Sequence, residues 1–197
     1  MEVPEVPQYL LGTEKEVFLC PFPVAWGREA MVVSCFSPGD TVVCLVSGER
    51  GEHWVRVAEG FGLSVIRLEG YGGKPPQVED LYLLFEAEKA SSIKGVFVTH
   101  VGREEPFAVE LEALGRVCRS FDVLYALDVS ESFGVFPLSL DESAVDVAVV
   151  ESPLLSRNRS LLVVGEKTWR AKPSARCPLF DGAWHGGFPF GDLSEVP

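Results

Sequence analysis

Short apolar runs alternate along this chain with stretches that mix apolar and charged positions. The runs at 16–20, 41–46, 64–68, 95–99, 123–128, 145–150 and 161–164 read as strands. The stretches at 26–36, 52–61, 78–89 and 108–120 read as helices. In "GVFVTH" and "DVAVVES" the apolar character is continuous, which is the signature of a strand covered on both faces. Strands of that kind alternating with helices predict an α/β fold with a mainly parallel, doubly wound sheet and right-handed crossovers. "SPGDT" at 37–41 is a turn feeding a strand, "GFGLS" closes a helix with glycines, and Ser156-Arg157-Asn158-Arg159 links the last two strands.

The pattern divides the chain into a short N-terminal segment, 1–15, a domain at 16–172 and a tail at 173–197. The tail, "PSARCPLFDGAWHGGFPFGDLSEVP", is rich in proline, glycine and aromatics and follows neither period. It reads either as a loosely ordered end or as a segment docking Trp184, Phe188 and Phe190 on the domain or on a partner.

Composition narrows the classes of function. With 47% hydrophobic and 23% charged residues in 197, a sizeable core is expected. A formal charge of −12 argues against nucleic acid or an anionic membrane as a partner, since phosphates are repelled. No apolar run reaches bilayer length, and the acidic, proline-containing start does not read as a signal peptide. The five cysteines, at 20, 35, 44, 118 and 177, form no CxxC pair and lie mostly in apolar segments. Reduced core thiols in a cytoplasmic protein are the expectation.

Ligands of an open α/β sheet gather beyond the carboxyl ends of its strands. Those ends carry Glu49, Glu104, Glu105, Asp128, Glu131 and Glu151 against Arg50 and Arg103. An acidic rim is a poor cradle for phosphate. GxGxxG and HExxH are absent, and "EGYGGKPP" lacks the spacing of a phosphate loop. His100, Asp128 and Glu151 are conceivable metal ligands, but His100 reads better as a hydrogen-bonded structural histidine, and no metal is expected. Asp128 ends an apolar strand, and its bland role is to accept backbone N–H groups from the next loop.

"FSPGDTVVCLVSGERGEHWVRVAEGFGLSVIRLE", "IKGVFVTHV" and "LDVSESFGVFPLSLDESAVDVAVVES" together resemble the large domain of class V aminotransferases, the alanine–glyoxylate and serine–pyruvate branch of the fold type I pyridoxal-phosphate enzymes. The resemblance runs from about residue 17 to about 170 and implies a three-layer sandwich around a seven-stranded, mostly parallel sheet whose last strand is antiparallel. It also implies that Asp128, in "DVSES", matches the aspartate that pairs with the cofactor's pyridine nitrogen. His100, in "VTHV", is the second cofactor-side position carried over.

Other positions depart from the family pattern. The Schiff-base lysine follows the sixth strand in a "GSQKA"-like motif, and here "ESPLL" puts Leu154 in that slot after Pro153. A leucine has no amine, so neither the imine nor the proton shift that the lysine performs is available. The "SGTGAME"-like phosphate loop corresponds to "PVAWGRE", where Pro23 lacks an N–H and Trp26 replaces a glycine. Arg50 takes the place of a ring-stacking aromatic, and the "ETSTG" loop becomes "GREEP" at 102–106. Lys94, Lys167 and Lys172 fall elsewhere in the pattern, and the sequence as given begins near the first strand and ends soon after the seventh.

These substitutions predict a truncated, degenerate aminotransferase-like protein with no catalytic residue and no cofactor. It would serve as a structural, regulatory or partner-binding module, self-associating or joined to another protein chain. The alternative is a pyridoxal-phosphate-dependent subunit completing a composite site with an active partner, with Asp128 and His100 on the cofactor. A binder of a small cationic or neutral ligand is a third reading.

Overall fold

The structure, a computed structural model, describes residues 8–20, 24–71, 74–87, 92–101, 109–150 and 160–170. Seven strands appear in order: β1 (Glu16–Cys20), β2 (Thr41–Val46), β3 (Ser64–Glu69), β4 (Ile93–Thr99), β5 (Leu124–Asp128), β6 (Val147–Val150) and β7 (Ser160–Val164). The helices are α1 (Val24–Cys35), α2 (Gly48–Gly60), α3 (Val78–Ala87), α4 (Leu111–Ser120) and the short α5 (Glu166–Arg170). The strands form one sheet in the order β1-β7-β6-β5-β4-β2-β3. β7 runs antiparallel to both its neighbours, while β2 to β6 pair in parallel. The expected sheet, with its antiparallel last strand, is the one observed.

Period-two alternation explains how this sheet builds two cores. Val43, Val96, Val98, Tyr125, Leu127 and Ala148 face one side, where Leu81 and Phe85 of α3 and Leu114 and Cys118 of α4 cover them. Val42, Cys44, Phe97, Leu124, Ala126 and Val149 face the other, under Met31 and Val32 of α1 and Trp54 and Ala58 of α2. Burying both faces is what makes the strand sequences continuously apolar. The result is the three-layer sandwich.

Element boundaries differ from expectation in instructive places. β4 begins at Ile93 because Ile93 pairs with Thr41, ahead of a register irregularity between Thr41 and Val42. α2 begins at Gly48, four residues before the pattern suggests, directly after β2. Two glycines permit that tight return. Gly48 takes a positive φ of 57°, and a side chain on Gly51 would stand 2.8 Å from the Cα of Val46. Arg50 therefore sits in the first turn of a helix and not in a loop.

Cys20, Cys35, Cys44 and Cys118 are buried and form no disulfide among the described residues, as expected of core thiols, and Cys177 lies outside the described residues. Burial pushes the thiols of Cys20, Cys44 and Cys118 up to about 12, so they stay protonated and unreactive. Among the described residues no helix is long and apolar enough to cross a membrane.

Gly115 sets the seat of α4, since a methyl group there would lie 1.8 Å from the carbonyl oxygen of Ser143. Gly115→Ala is expected to lower the unfolding free energy by about 1–3 kcal/mol. Urea denaturation checks it, through a reduced midpoint at unchanged slope.

Candidate functional site

Asp128 closes β5 on the face of the sheet that its predecessors Leu124 and Ala126 share, beneath α1 and α2. It is 1% exposed, so its charge needs compensation from the protein. Arg28 of α1, itself buried, supplies most of it. Its Nε donates to Oδ2 at 3.0 Å, and its Nη2 donates to the same oxygen. Arg50 adds Nη1 at 3.3 Å from Oδ2 and turns its Nη2 to Glu131. The Ser130 N–H donates to Oδ1 at 2.9 Å, the backbone bond that a strand-end aspartate commonly makes.

Packing fixes the guanidinium as well. The Arg28 Cζ lies 5.6 Å from the Trp54 ring centroid, and Trp54 stacks on Phe97 at 4.8 Å. Burial alone raises the Asp128 carboxyl. The charge of Arg28, its hydrogen bond, the Ser130 N–H and Arg50 outweigh that and hold it below the ordinary carboxylate range. The four ionised groups, two guanidiniums and two carboxylates, sum to zero. In the same wall His53 Nε2, Trp54 Nε1 and Thr99 Oγ1 are buried without a hydrogen-bond partner.

His100 does not join this cluster. It follows Val96 and Val98 in the alternation and so faces the α3–α4 side, with its ring edge-on to Phe136 at 5.9 Å. Only the backbones of the two residues meet: the His100 N–H donates to the Asp128 carbonyl at 3.0 Å. The conceivable metal site of His100, Asp128 and Glu151 is therefore not assembled from its first two members, and Glu151 lies outside the described residues. No group of His, Cys, Asp and Glu that could hold a metal occurs among the described residues. Among the described residues the buried Nδ1 of His100 has no hydrogen-bond partner.

The remaining sequence positions divide in two. Pro23, the loop at 102–106, Leu154, Lys172 and the tail lie outside the described residues, as does the side chain of Trp26. Lys94 opens β4 and Lys167 follows antiparallel β7, where it pairs with Asp122 at 3.1 Å. Both stand at the amino ends of the parallel strands, across the sheet from Asp128.

No protein-family model matches the sequence. The chain is similar to the soluble hydrogenase small subunit of Synechococcus, 26% identical over 177 residues, which is 88% of this chain and 46% of that protein. It is 28% identical over 171 residues to the serine–glyoxylate aminotransferase of Methylorubrum extorquens, covering 81% of this chain and 41% of that protein. The aspartate aminotransferase of subgroup IV from Thermus thermophilus superposes with a TM-score of 0.75 at 25% identity, over 88% of this chain and 49% of that one. The chain is similar in sequence and fold to the class V aminotransferases. The chain spans about half the length of the curated relatives it matches, 46% and 48% of the first two.

The resemblance implies that Asp128 would accept a hydrogen bond from a protonated pyridine ring. The described wall does not fit that group. Arg28 places two donors on Oδ2, the Ser130 N–H takes Oδ1, and the carboxylate is fully shielded, so a ring N–H has no open approach to it among the described residues. Arg28 and Arg50 are both engaged with carboxylates, so neither is free to hold a phosphate. Sequence reading missed Arg28, although "PVAWGREAMVV" signals it: Arg28 and Glu29 are the only charged residues in that stretch, and the arginine is left to face a strand-end aspartate.

Two outcomes follow. Arg28→Met leaves the buried carboxylate with only Arg50 and should cost about 3 kcal/mol of stability, much of it restored by adding Asp128→Asn; denaturant melts of the single and double variants check it. On the acid side, burial lowers the His100 pKa from 6.5 to about 4. As pH falls through that window the unfolded chain takes the proton first, so stability is lost between 6.5 and 4. His100→Gln should flatten that part of the stability–pH curve. His53, lowered first by burial and then by Arg28, contributes to the slope that remains.

Proposed function

We propose that this chain is a non-transaminating member of the aminotransferase-like group, a binding or scaffolding version of the fold that works without pyridoxal phosphate. The observation that carries the reading is the closed ion pair between Arg28 and Asp128. A carboxylate that an aminotransferase would offer to its cofactor is here neutralised by the chain itself. Leu154 in the lysine slot supports the same conclusion from sequence, because a hydrocarbon cannot form an imine. The described lysines add to it: Lys15, Lys94 and Lys167 lie at the amino ends of the strands, and Lys74 follows the edge strand β3.

The work of such a module is recognition. Its partner is a second copy of the chain or another protein, and exposed side chains such as Tyr71, Leu83 and Val135 are available for contact. The acidic charge directs it away from nucleic acid and anionic membranes, and its place is the cytoplasm.

Pyridoxal phosphate titrated into the purified chain tests the reading. We expect no visible absorbance band and no lysine adduct after borohydride reduction, with mass spectrometry as the check. A stoichiometric adduct on one lysine would overturn the proposal in favour of a composite or working transaminase. Light scattering of the purified chain, alone and with proteins captured from its host, then identifies the association.

A further inference from the structure

Helix α3 covers the sheet with Leu81 and Phe85 and turns Tyr82 and Leu83 outward, 45% and 64% exposed. These two are not isolated on the surface. The Tyr82 ring meets Phe121, the residue after α4, edge-on at 5.7 Å, and Phe121 meets Phe85 at 5.1 Å. Val117, one turn back on α4, is half-buried against the same core. Along the seam of the two helices the core therefore runs out to solvent, a continuity that scattered surface apolar residues lack.

The charges beside the seam are of one sign. Val78–Ala87 carries Glu79, Asp80 and Glu86 and no cation. Asp80 is used at the helix start, where its Oδ2 accepts the Gln77 N–H at 2.9 Å. Glu79 and Glu86 make no ion pair among the described residues. A carboxylate in the last turn opposes the helix dipole, so Glu86 works against the helix that carries it. The arginines of α4 offer no relief. Arg116 lines a cavity with His100 and Ser143, and Arg119 lines a second with Asp141 and Asp146, and neither cavity touches α3.

We propose that this seam docks a basic amphipathic helix of another protein, with Tyr82, Leu83 and Phe121 against its apolar face and Glu79 and Glu86 against its lysines or arginines. The spacing suits a helix. The two glutamates lie two turns apart, about 10 Å along α3, with the apolar pair between them, and a helical partner repeats cations at the same interval. A second copy of the chain would set α3 carboxylates against their like. Residues 171–197 suit the seam no better, with Lys172 and Arg176 against Asp181, Asp192 and Glu195. The proposal rests on the reading of the chain as a recognition module, and the two fail separately. A borohydride-trapped adduct would overturn the module reading without touching the seam, and a seam that binds nothing would leave the cofactor result as it stands.

The test is an amide-detected NMR titration of the full chain with a synthetic helix of about fourteen residues, leucine on one face and lysine on the other. A scrambled peptide of the same composition is the control for charge alone. Expected are saturable shifts confined to α3 and the end of α4, with half-saturation between about 10 μM and 1 mM. Leu83→Ser changes an exposed side chain and should weaken binding at least about fivefold. Glu79→Gln with Glu86→Gln should weaken it about threefold and flatten its salt dependence. The proposal is overturned by the absence of saturable shifts, by equal binding of the scrambled peptide, or by an affinity unchanged in both variants. It is also overturned if the seam amides shift on concentrating the chain alone, which would give the seam to a second copy, or with Trp184→Ser, which would give it to the chain's own last residues.

Discussion

A sheet buried on both faces sorts its residues by parity, and that constraint governs the rest of this molecule. Once β4 and β5 are pinned in parallel register, with Thr99 opposite Asp128, every side chain on them is committed to one helical layer or the other. Asp128 is sent beneath α1 and α2, and His100, one residue past the end of β4, is sent toward α4. Two polar residues whose backbones are joined by a hydrogen bond thus serve separate environments. One is compensated by arginines and the other is left unpartnered beside a cavity. The same parity fixes which core each residue enters, because a slip of one residue would exchange the two sets and carry Asp128 to the opposite layer.

The buried carboxylate imposes the second constraint. An ionised group at this depth persists only with a counter-charge and further hydrogen bonds. In an enzyme of this fold a bound ring can provide part of that compensation; here Arg28 provides it from within the chain. The arrangement closes electrically, two guanidiniums against two carboxylates, and its members come from α1, α2 and the segment after β5. Retention of the aspartate is therefore no argument for retention of the cofactor. The residue has a structural reason to remain once an arginine has been placed against it, since removing either partner alone strands the other in the core.

How much of this was legible beforehand depended on range. Strand identity follows from local sequence in the central strands, because a strand covered on both faces must be apolar throughout; the edge strand β3, with Arg67 and Glu69 in it and no buried residue, shows its period without that continuity. The start of α2 was not legible. "SGERG" has the composition of a loop, and it is the close approach of Gly51 to Val46, a tertiary contact, that makes it helical. Arg28 and Asp128 are a hundred residues apart in sequence. Nothing local marks them as a pair, although a lone arginine in an apolar helix demands a partner somewhere. His100 was grouped with Asp128 because both end strands that lie side by side. Proximity of strand ends is a statement about backbones, and alternation decides where the side chains go.

Fold and chemistry separate cleanly in such an architecture because they rest on different terms of the free energy. The apolar positions that define the two cores contribute burial, which tolerates change at the strand ends as long as charge and hydrogen bonds are balanced there. The ends are where a catalytic constellation has to be exact and where a scaffold need only be neutral. An arginine facing Asp128 meets the second requirement. Within the described residues the α1–α2 wall balances its own charges, so its ion network needs no ligand to close. The same wall still buries His53 Nε2, Trp54 Nε1 and Thr99 Oγ1 without a hydrogen-bond partner among the described residues, so balance of charge and balance of hydrogen bonds are separate requirements there.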